Sequence, residues 1–153
     1  MSTSLYDQDF YAWTSQQAAL LRSGSLSLAD IEHIAEEIES MGRSERRELV
    51  SRLRVLLHHL LKWQYQPSRR GQSWRLSVLN ARDELESLLR DNPSLKAILP
   101  AGIVDAYRLA RRDAALETEL PENTFPVDCP WPYDRAVDEN FWPGEPDSWS
   151  ALE

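Results

Sequence analysis

Three glutamates and two histidines are the residues whose types and spacing best fit a site for chemistry. Glu32, Glu36 and Glu39 recur along one edge of a predicted helix, and His58 and His59 lie in the next one. Carboxylate and imidazole groups on neighbouring helices can bind iron, manganese or zinc. The pattern therefore allows a divalent transition-metal site formed by Glu36, Glu39, His58 and His59, and no other cofactor is expected.

The same glutamates have a simpler interpretation as partners of basic side chains. Four arginines follow in the next predicted helix: Arg46, Arg47, Arg52 and Arg54. Oppositely charged residues commonly pair along helix edges. Metal-binding bundles carry Glu-x-x-His on facing helices, whereas this chain offers only Asp30-x-x-His33. We therefore favour ion pairs with the arginines, and the metal site is the alternative.

A second group of residues combines basic and aromatic side chains near the end of the longest apolar helix. Its members are Lys62, Trp63, Tyr65, Arg69, Arg70, Trp74 and Arg75. Single-stranded nucleic acid is held by such a combination, but the formal net charge of −8 disfavours that partner. Aromatic and arginine side chains are also enriched in protein interfaces. We interpret this basic-aromatic group as a candidate protein-binding surface. In the alternative interpretation, the tryptophans are packed inside the protein and the arginines are solvated or paired with the acidic tail.

Cys129 is the only cysteine, so the chain has no internal disulfide framework. A nucleophilic cysteine needs a lowered pKa, and the charge of the adjacent Asp128 would raise it. A packed, unreactive thiol is the prediction. The chain also lacks a glycine-rich phosphate loop and the GxSxG and HExxH motifs.

The elements that position these residues are predicted to be helices. Apolar residues recur at helical spacing over 5–22, 28–41, 44–66, 74–91 and about 100–119. The predicted apolar face of the second helix comprises Ile31, Ile34, Ala35, Ile38 and Met41. Gly42 should end that helix, so that it packs antiparallel to the central helix. In the fourth helix, Arg82, Glu86 and Arg90 should form an external ladder.

The composition changes from Pro121 onward. Six of nine prolines and three of six tryptophans fall in residues 121–153. This proline density excludes a long helix, whereas the aromatic residues favour packing. The predicted fold is therefore all-α: a compact four- to five-helix bundle over about 5–119 with a Pro/Trp-rich extended C-terminal tail, about 120–153, docked on it. Together they should form a single domain, 1–153.

Composition also limits the location and the partners of the protein. Hydrophobic residues make up 42% and charged residues 27% of the chain, which are globular values. No signal-peptide pattern and no apolar run approaching 18 residues occurs. We expect a cytoplasmic protein with no membrane contact and an unidentified protein partner, and homo-oligomerisation is also compatible with the sequence.

Four segments together resemble the DUF29 family of bacterial proteins. They are DFYAW, EEIESMG, RLRVLLHHLLKWQYQPSRRGQSW and CPWPYDRAVDENFWP, spread over about residues 5–143. The resemblance implies a compact helical bundle in a bacterial cytosolic protein and assigns no activity and no catalytic residues. We therefore expect a non-enzymatic interaction or regulatory module. The alternative is a metal- or small-anion-dependent enzyme that uses Glu32, Glu36 and Glu39 with His58 or His59.

Overall fold

The computed structural model describes residues 4–144, and every regular element within them is helical. The predicted all-α class is confirmed. The helices are α1 (Leu5–Gln8), α2 (Phe10–Arg22), α3 (Ile31–Tyr65), α4 (Gln72–Asp91), α5 (Leu99–Thr118) and α6 (Tyr133–Ala136). None of the helices in this part of the chain combines the length and apolar character needed to cross a membrane. Pro146 and Trp149 of the predicted tail lie outside the described residues.

Helix α3 corrects the predicted hairpin. Residues 31–65 form one continuous helix, so Gly42 lies within it and does not end a separate second helix. A glycine inside a helix costs only about 1 kcal/mol relative to alanine. The methionine, glutamates and arginines around Gly42 are good helix formers, and they outweigh that cost.

Several helix ends follow from local chemistry. Helix α3 ends at Tyr65, ahead of Pro67, as predicted. The first predicted helix is divided at Asp9, whose side chain accepts a hydrogen bond from the backbone N–H of Ala12 and so caps α2. Helix α4 begins at Gln72, two residues before the predicted start at residue 74.

The chain divides into two compact units, Met1–Glu45 and Arg46–Glu153. That these two units form one domain, 1–153, stays a prediction from the sequence. In the amino-terminal unit only Trp13 and Gln17 are buried among the described residues. The Trp13 indole donates to Asp30 at 3.2 Å, and the amide oxygen of Gln17 accepts from the Asp30 backbone N–H at 2.7 Å. This unit is therefore held by a few polar and aromatic contacts.

The carboxy-terminal unit contains the large apolar core. Leucines of α3 pack with small and branched residues of α4 and α5. The fully or almost fully buried members include Leu49, Leu53, Leu56, Leu57, Leu60, Leu61, Val78, Leu85, Ala106 and Ala110. At Gly102, an added Cβ would lie 3.6 Å from the Leu53 side chain, so α5 approaches α3 closely there. Arg54 strengthens the same pairing with two hydrogen bonds, of 2.6 and 2.8 Å, to Asp113.

Residues 120–144 add aromatic side chains to this core. Phe125, Trp131, Phe141 and Trp142 are all buried. The Tyr65 ring meets Phe125 edge-on at 5.2 Å, and the Tyr107 hydroxyl donates to the Pro126 carbonyl at 2.5 Å. In this position, backbone carbonyls of residues 120–144 accept hydrogen bonds from side chains of α4 and α5.

Candidate functional site

The predicted basic-aromatic group is assembled in space, but much of it is engaged within the carboxy-terminal unit. Lys62 and Trp63 are buried, whereas Arg69 and Arg75 are exposed. The Arg70 guanidinium lies 5.3 Å from the centroid of the Trp63 ring and donates to the Trp63 carbonyl at 2.7 Å. The Trp142 ring lies 4.6 Å from that of Trp63. A nucleic-acid base could stack on Trp63 only after Arg70 or Trp142 had moved.

Four further members of the group, Lys62, Trp74, Arg75 and Tyr65, also have partners within the unit. The Arg75 guanidinium lies 4.6 Å from the Trp142 ring, and the Lys62 ammonium lies 4.6 Å from the Trp74 ring. Such cation–π contacts contribute about 0.5–2 kcal/mol each. Tyr65 packs on Phe125. The geometry thus matches the packed interpretation more closely than an open binding surface.

Lys62 belongs to a small charged cluster with His58 and Glu117. Its ammonium donates to the Glu117 carboxylate at 2.5 Å, and His58 Nε2 lies 3.1 Å from the same oxygen. Burial, followed by the positive charges of Lys62 and His59, lowers the pKa of His58 to about 4. Burial would raise the pKa of Glu117, but the hydrogen bond from Lys62 helps to bring it below its ordinary value. His58 is therefore neutral at pH 7.

The predicted metal ligands do not form a cluster of the required kind. Within residues 4–144, no group of three or more His, Cys, Asp or Glu side chains has a metal-binding arrangement. The hairpin that was to bring Glu36 and Glu39 against His58 and His59 is absent, because all four residues belong to α3.

The predicted pairing of Glu32, Glu36 and Glu39 with Arg46, Arg52 and Arg54 is wrong, because these three arginines have other partners. Glu39 lies 4.0 Å from Arg43, one turn along the helix. Arg46 approaches Asp105 at 3.9 Å, and Arg54 binds Asp113. Arg52 bridges Glu48 and Glu84 at 2.7 and 2.8 Å. Since residues 31–65 form one helix, Arg46, Arg52 and Arg54 pair within their own helix or with α4 and α5.

Cys129 is partly buried, and its thiol donates to the Trp131 carbonyl at 3.3 Å. Burial raises the pKa of this thiol. Both observations agree with a packed thiol, and neither gives the activated thiolate that a nucleophile requires.

Arg82 is only 5% exposed, so the prediction that it belongs to an external ladder on α4 is wrong. Its Nε donates to the Ala136 carbonyl at 3.0 Å and its Nη2 to the Phe141 carbonyl at 2.6 Å. Burial lowers the pKa of Arg82 to about 10, partly offset by Asp138. A signal existed, because Arg82 falls four residues after Val78 and three before Leu85, within the apolar stripe of α4.

The apolar face predicted for residues 31–41 is mostly solvent-exposed, and only Ile34 of its five residues is half-buried. Of 13 exposed large apolar side chains among the described residues, eight belong to the amino-terminal unit. Three of them, Ile31, Ile38 and Met41, lie in the amino-terminal part of α3, and Leu28 lies in the short 3-10 turn before it; we call these four residues the α3 apolar stripe. They are 71%, 55%, 61% and 65% exposed. Within α3, the spacings of 7 and 3 residues put Ile31, Ile38 and Met41 on one side of the helix.

The sequence profile described as "Domain of unknown function DUF29" matches residues 5–142. The chain belongs to the DUF29 family. Comparison with curated proteins and with solved structures gives no significant match. The DUF29 match spans both compact units, including α3, the Arg82 contacts and the buried aromatic residues up to Trp142. The expected family is thereby confirmed, and its description states no function.

Proposed function

We propose that this DUF29 protein is a non-enzymatic interaction module that docks another protein on the α3 apolar stripe. The observation that carries the proposal is the concentration of exposed apolar side chains at the start of α3. Single exposed apolar residues are ordinary on protein surfaces, whereas a row of them marks an interaction site. An amphipathic helix commonly binds partners through side chains three, four or seven residues apart, and Ile31, Ile38 and Met41 are separated by seven and three residues.

The charge around the stripe defines the chemistry of the partner. Residues 1–45 hold eight Asp and Glu side chains against two Arg side chains, a formal charge of −6. Glu32, Glu36 and Glu39 are exposed between and beside the stripe residues. We infer that the partner presents an apolar surface flanked by Lys and Arg, because complementary charge gives specificity and speeds association.

The proposed docking surface differs from the basic-aromatic group that the sequence predicts as the protein-binding surface. The loop from Arg69 to Arg75 retains exposed charge, but Arg70 and Arg75 already contact tryptophans and Trp63 is buried. The stripe on α3, by contrast, has large apolar area in solvent. Burial of apolar area is the main driving force of protein association.

Residues 120–144 have a separate role in the proposal, which is to complete the core of the carboxy-terminal unit. Arg82 supports this role through its bonds to the Ala136 and Phe141 carbonyls, and the Arg70 Nη2 lies 3.4 Å from the Pro143 carbonyl. The predicted docked tail is in this view a stabilising strap over the core.

A comparative pull-down from the native host tests the docking face. The baits are the wild type, Ile38→Glu and the control Leu116→Glu, which alters a residue 72% exposed on α5. We expect one protein that resists nuclease, carries a basic-flanked apolar segment, and is retained by the wild type and by Leu116→Glu. Ile38→Glu should lose it at least about tenfold, since a charge replaces apolar contact area.

Three outcomes would contradict the proposal. Equal retention by Ile38→Glu would exclude the stripe. Loss of the bound material on nuclease treatment would favour nucleic acid and the basic-aromatic group. A complex formed only by copies of this chain, sensitive to Ile38→Glu in light scattering, would replace the basic partner with a homo-oligomer.

A further inference from the structure

The contacts that hold the amino-terminal unit together converge on His33, near the start of α3. Its Nδ1 donates to Oδ2 of Asp30 at 2.7 Å, and the same oxygen accepts from the Trp13 indole at 3.2 Å. The imidazole stacks on the Tyr6 ring of α1, with centroids 3.9 Å apart and an interplanar angle of 10°. The Trp13 ring of α2 meets it edge-on at 6.5 Å. One titratable side chain therefore contacts α1, α2 and the residue that precedes α3.

Protonation of His33 strengthens both of its closest contacts. An imidazolium places a full positive charge opposite the Asp30 carboxylate, and hydrogen bonds between ionised groups are the stronger ones. Over the face of the Tyr6 ring, the same charge adds a cation–π attraction that the neutral imidazole lacks. Neutral His33 can still donate from Nδ1. Loss of the proton therefore weakens the contacts with Asp30 and Tyr6 without abolishing them.

The charged groups around His33 favour its proton. The hydrogen bond with Asp30 raises the pKa of His33 above its ordinary value of 6.5; burial opposes this effect, and the negative charges of Asp30, Glu36 and Asp7 add to it. The hydrogen bond with His33 in turn lowers the pKa of Asp30, which stays charged. Because the folded chain holds the proton of His33 more tightly than the unfolded chain, this stabilisation is complete below about pH 6.5. It is lost as the pH rises through the folded pKa.

His33 differs in this respect from the other two histidines of the chain. Burial lowers the pKa of His58 to about 4 and also lowers that of His59, so both are neutral at pH 7. Tyr6 does not titrate in this range, because its hydrogen bond to Glu37 raises its pKa to about 12. Between about pH 6.5 and pH 8.5, a change of charge in this cluster therefore comes from His33.

We propose that His33 is a pH-sensitive switch for the packing of α1 and α2 on the start of α3. With its proton, His33 holds the two helices through Tyr6, Trp13 and Asp30. Without it, α1 and α2 separate from α3 more often. The switch uses none of the stripe residues, so it is independent of the docking proposal.

An NMR titration of the full-length protein without any partner, from about pH 6 to pH 9, tests the switch. We expect the ring resonances of His33 to titrate with a midpoint above 6.5. The indole N–H resonance of Trp13 should follow with the same midpoint, because both groups donate to Asp30. Hydrogen-exchange protection of α2 amides, corrected for the intrinsic effect of pH, should fall about two- to fivefold across the titration, the range for a half-exposed charged pair.

Two histidine variants assign the pH response. His33→Gln keeps a donor for Asp30 but cannot titrate, so the protection of α2 should no longer depend on pH. His59→Gln is the matched control, because His59 lies in the same helix outside the amino-terminal unit, and it should respond as the wild type does.

Four results would overturn the assignment. They are a His33 midpoint at or below 6.5, constant protection of α2 in the wild type, a pH response retained in His33→Gln, and a response lost in His59→Gln. The first two are measured on the wild type, so the test holds even where His33→Gln weakens the amino-terminal unit.

Discussion

Replacing Arg82 with methionine should destabilise the carboxy-terminal unit far more than replacing an exposed arginine of the same helix. The substitution preserves the long side chain but removes the donors to the Ala136 and Phe141 carbonyls. Hydrogen bonds to charged groups contribute about 1.5–3 kcal/mol each, and a buried acceptor left unpaired costs about 1–3 kcal/mol. The cation–π contact with Trp142, whose ring lies 5.0 Å from the guanidinium, is lost as well.

Part of this loss is offset, because the variant no longer buries an unpaired charge. We therefore expect a net decrease in the free energy of unfolding of about 2–4 kcal/mol for Arg82→Met. Arg90→Met removes an exposed pair with Glu86 at 4.0 Å and an exposed hydrogen bond to the Ser87 hydroxyl at 3.1 Å, so it should change stability by less than about 0.5 kcal/mol.

Urea unfolding followed by tryptophan fluorescence measures both variants, since several tryptophans lie in this unit. The urea concentration at the unfolding midpoint should decrease for Arg82→Met, whereas the slope of the unfolding free energy against urea concentration should stay unchanged. A loss below about 1 kcal/mol, or one equal to that of Arg90→Met, would refute the view that Arg82 holds residues 136–141 in place.

Three further predictions use local features of the structure. Because the folded pKa of His58 is about 4, below its ordinary value near 6.5, the unfolded state binds more protons between these values. The free energy of unfolding should therefore decrease as the pH falls from about 6.5 to about 4, and a pH series of urea titrations should show a flatter profile for His58→Gln. Gly42→Ala should raise the unfolding free energy by about 0.5–1 kcal/mol, because Gly42 lies inside α3 with open space around its Cβ position. Gly144→Ala should instead lower the unfolding free energy by about 1 kcal/mol or more, since Gly144 has φ +84° and a Cβ there would lie 2.8 Å from Arg70 Nη2. Thermal melts measure both variants, and a melting temperature that changes in the same direction for both would contradict this reasoning. Cys129 should react with a disulfide reagent at pH 7 more slowly in the native protein than in urea, and equal rates would argue against its burial.

The sequence predicts those features of the fold that depend on neighbours along the chain. Apolar spacing identifies the helices, and Pro67 and Pro93 lie where α3 and α4 have ended. The prediction for Gly42 was wrong because a glycine costs a helix only about 1 kcal/mol. It ends the helix only when the neighbouring residues also disfavour helix formation. That balance decides whether residues 31–65 form a hairpin or one helix.

The candidate sites depend on contacts between residues distant in sequence. Arg82 was predicted to be external because arginine usually is, and its acceptors follow 54 and 59 residues later in the chain. The α3 apolar stripe was predicted as an apolar face, since spacing shows which side of a helix is apolar. Spacing gives no information on whether that side is covered, which explains why Ile38 was expected to be buried.

Site-specific photocrosslinking in the native host most directly tests whether the α3 apolar stripe docks a protein. A photoreactive phenylalanine replaces Ile38 in one variant and Leu116 in the control. The account predicts one main adduct from position 38, mapped by mass spectrometry to an apolar segment flanked by Lys and Arg, and none from position 116. The absence of an adduct at position 38, or the same adducts from both positions, would contradict it.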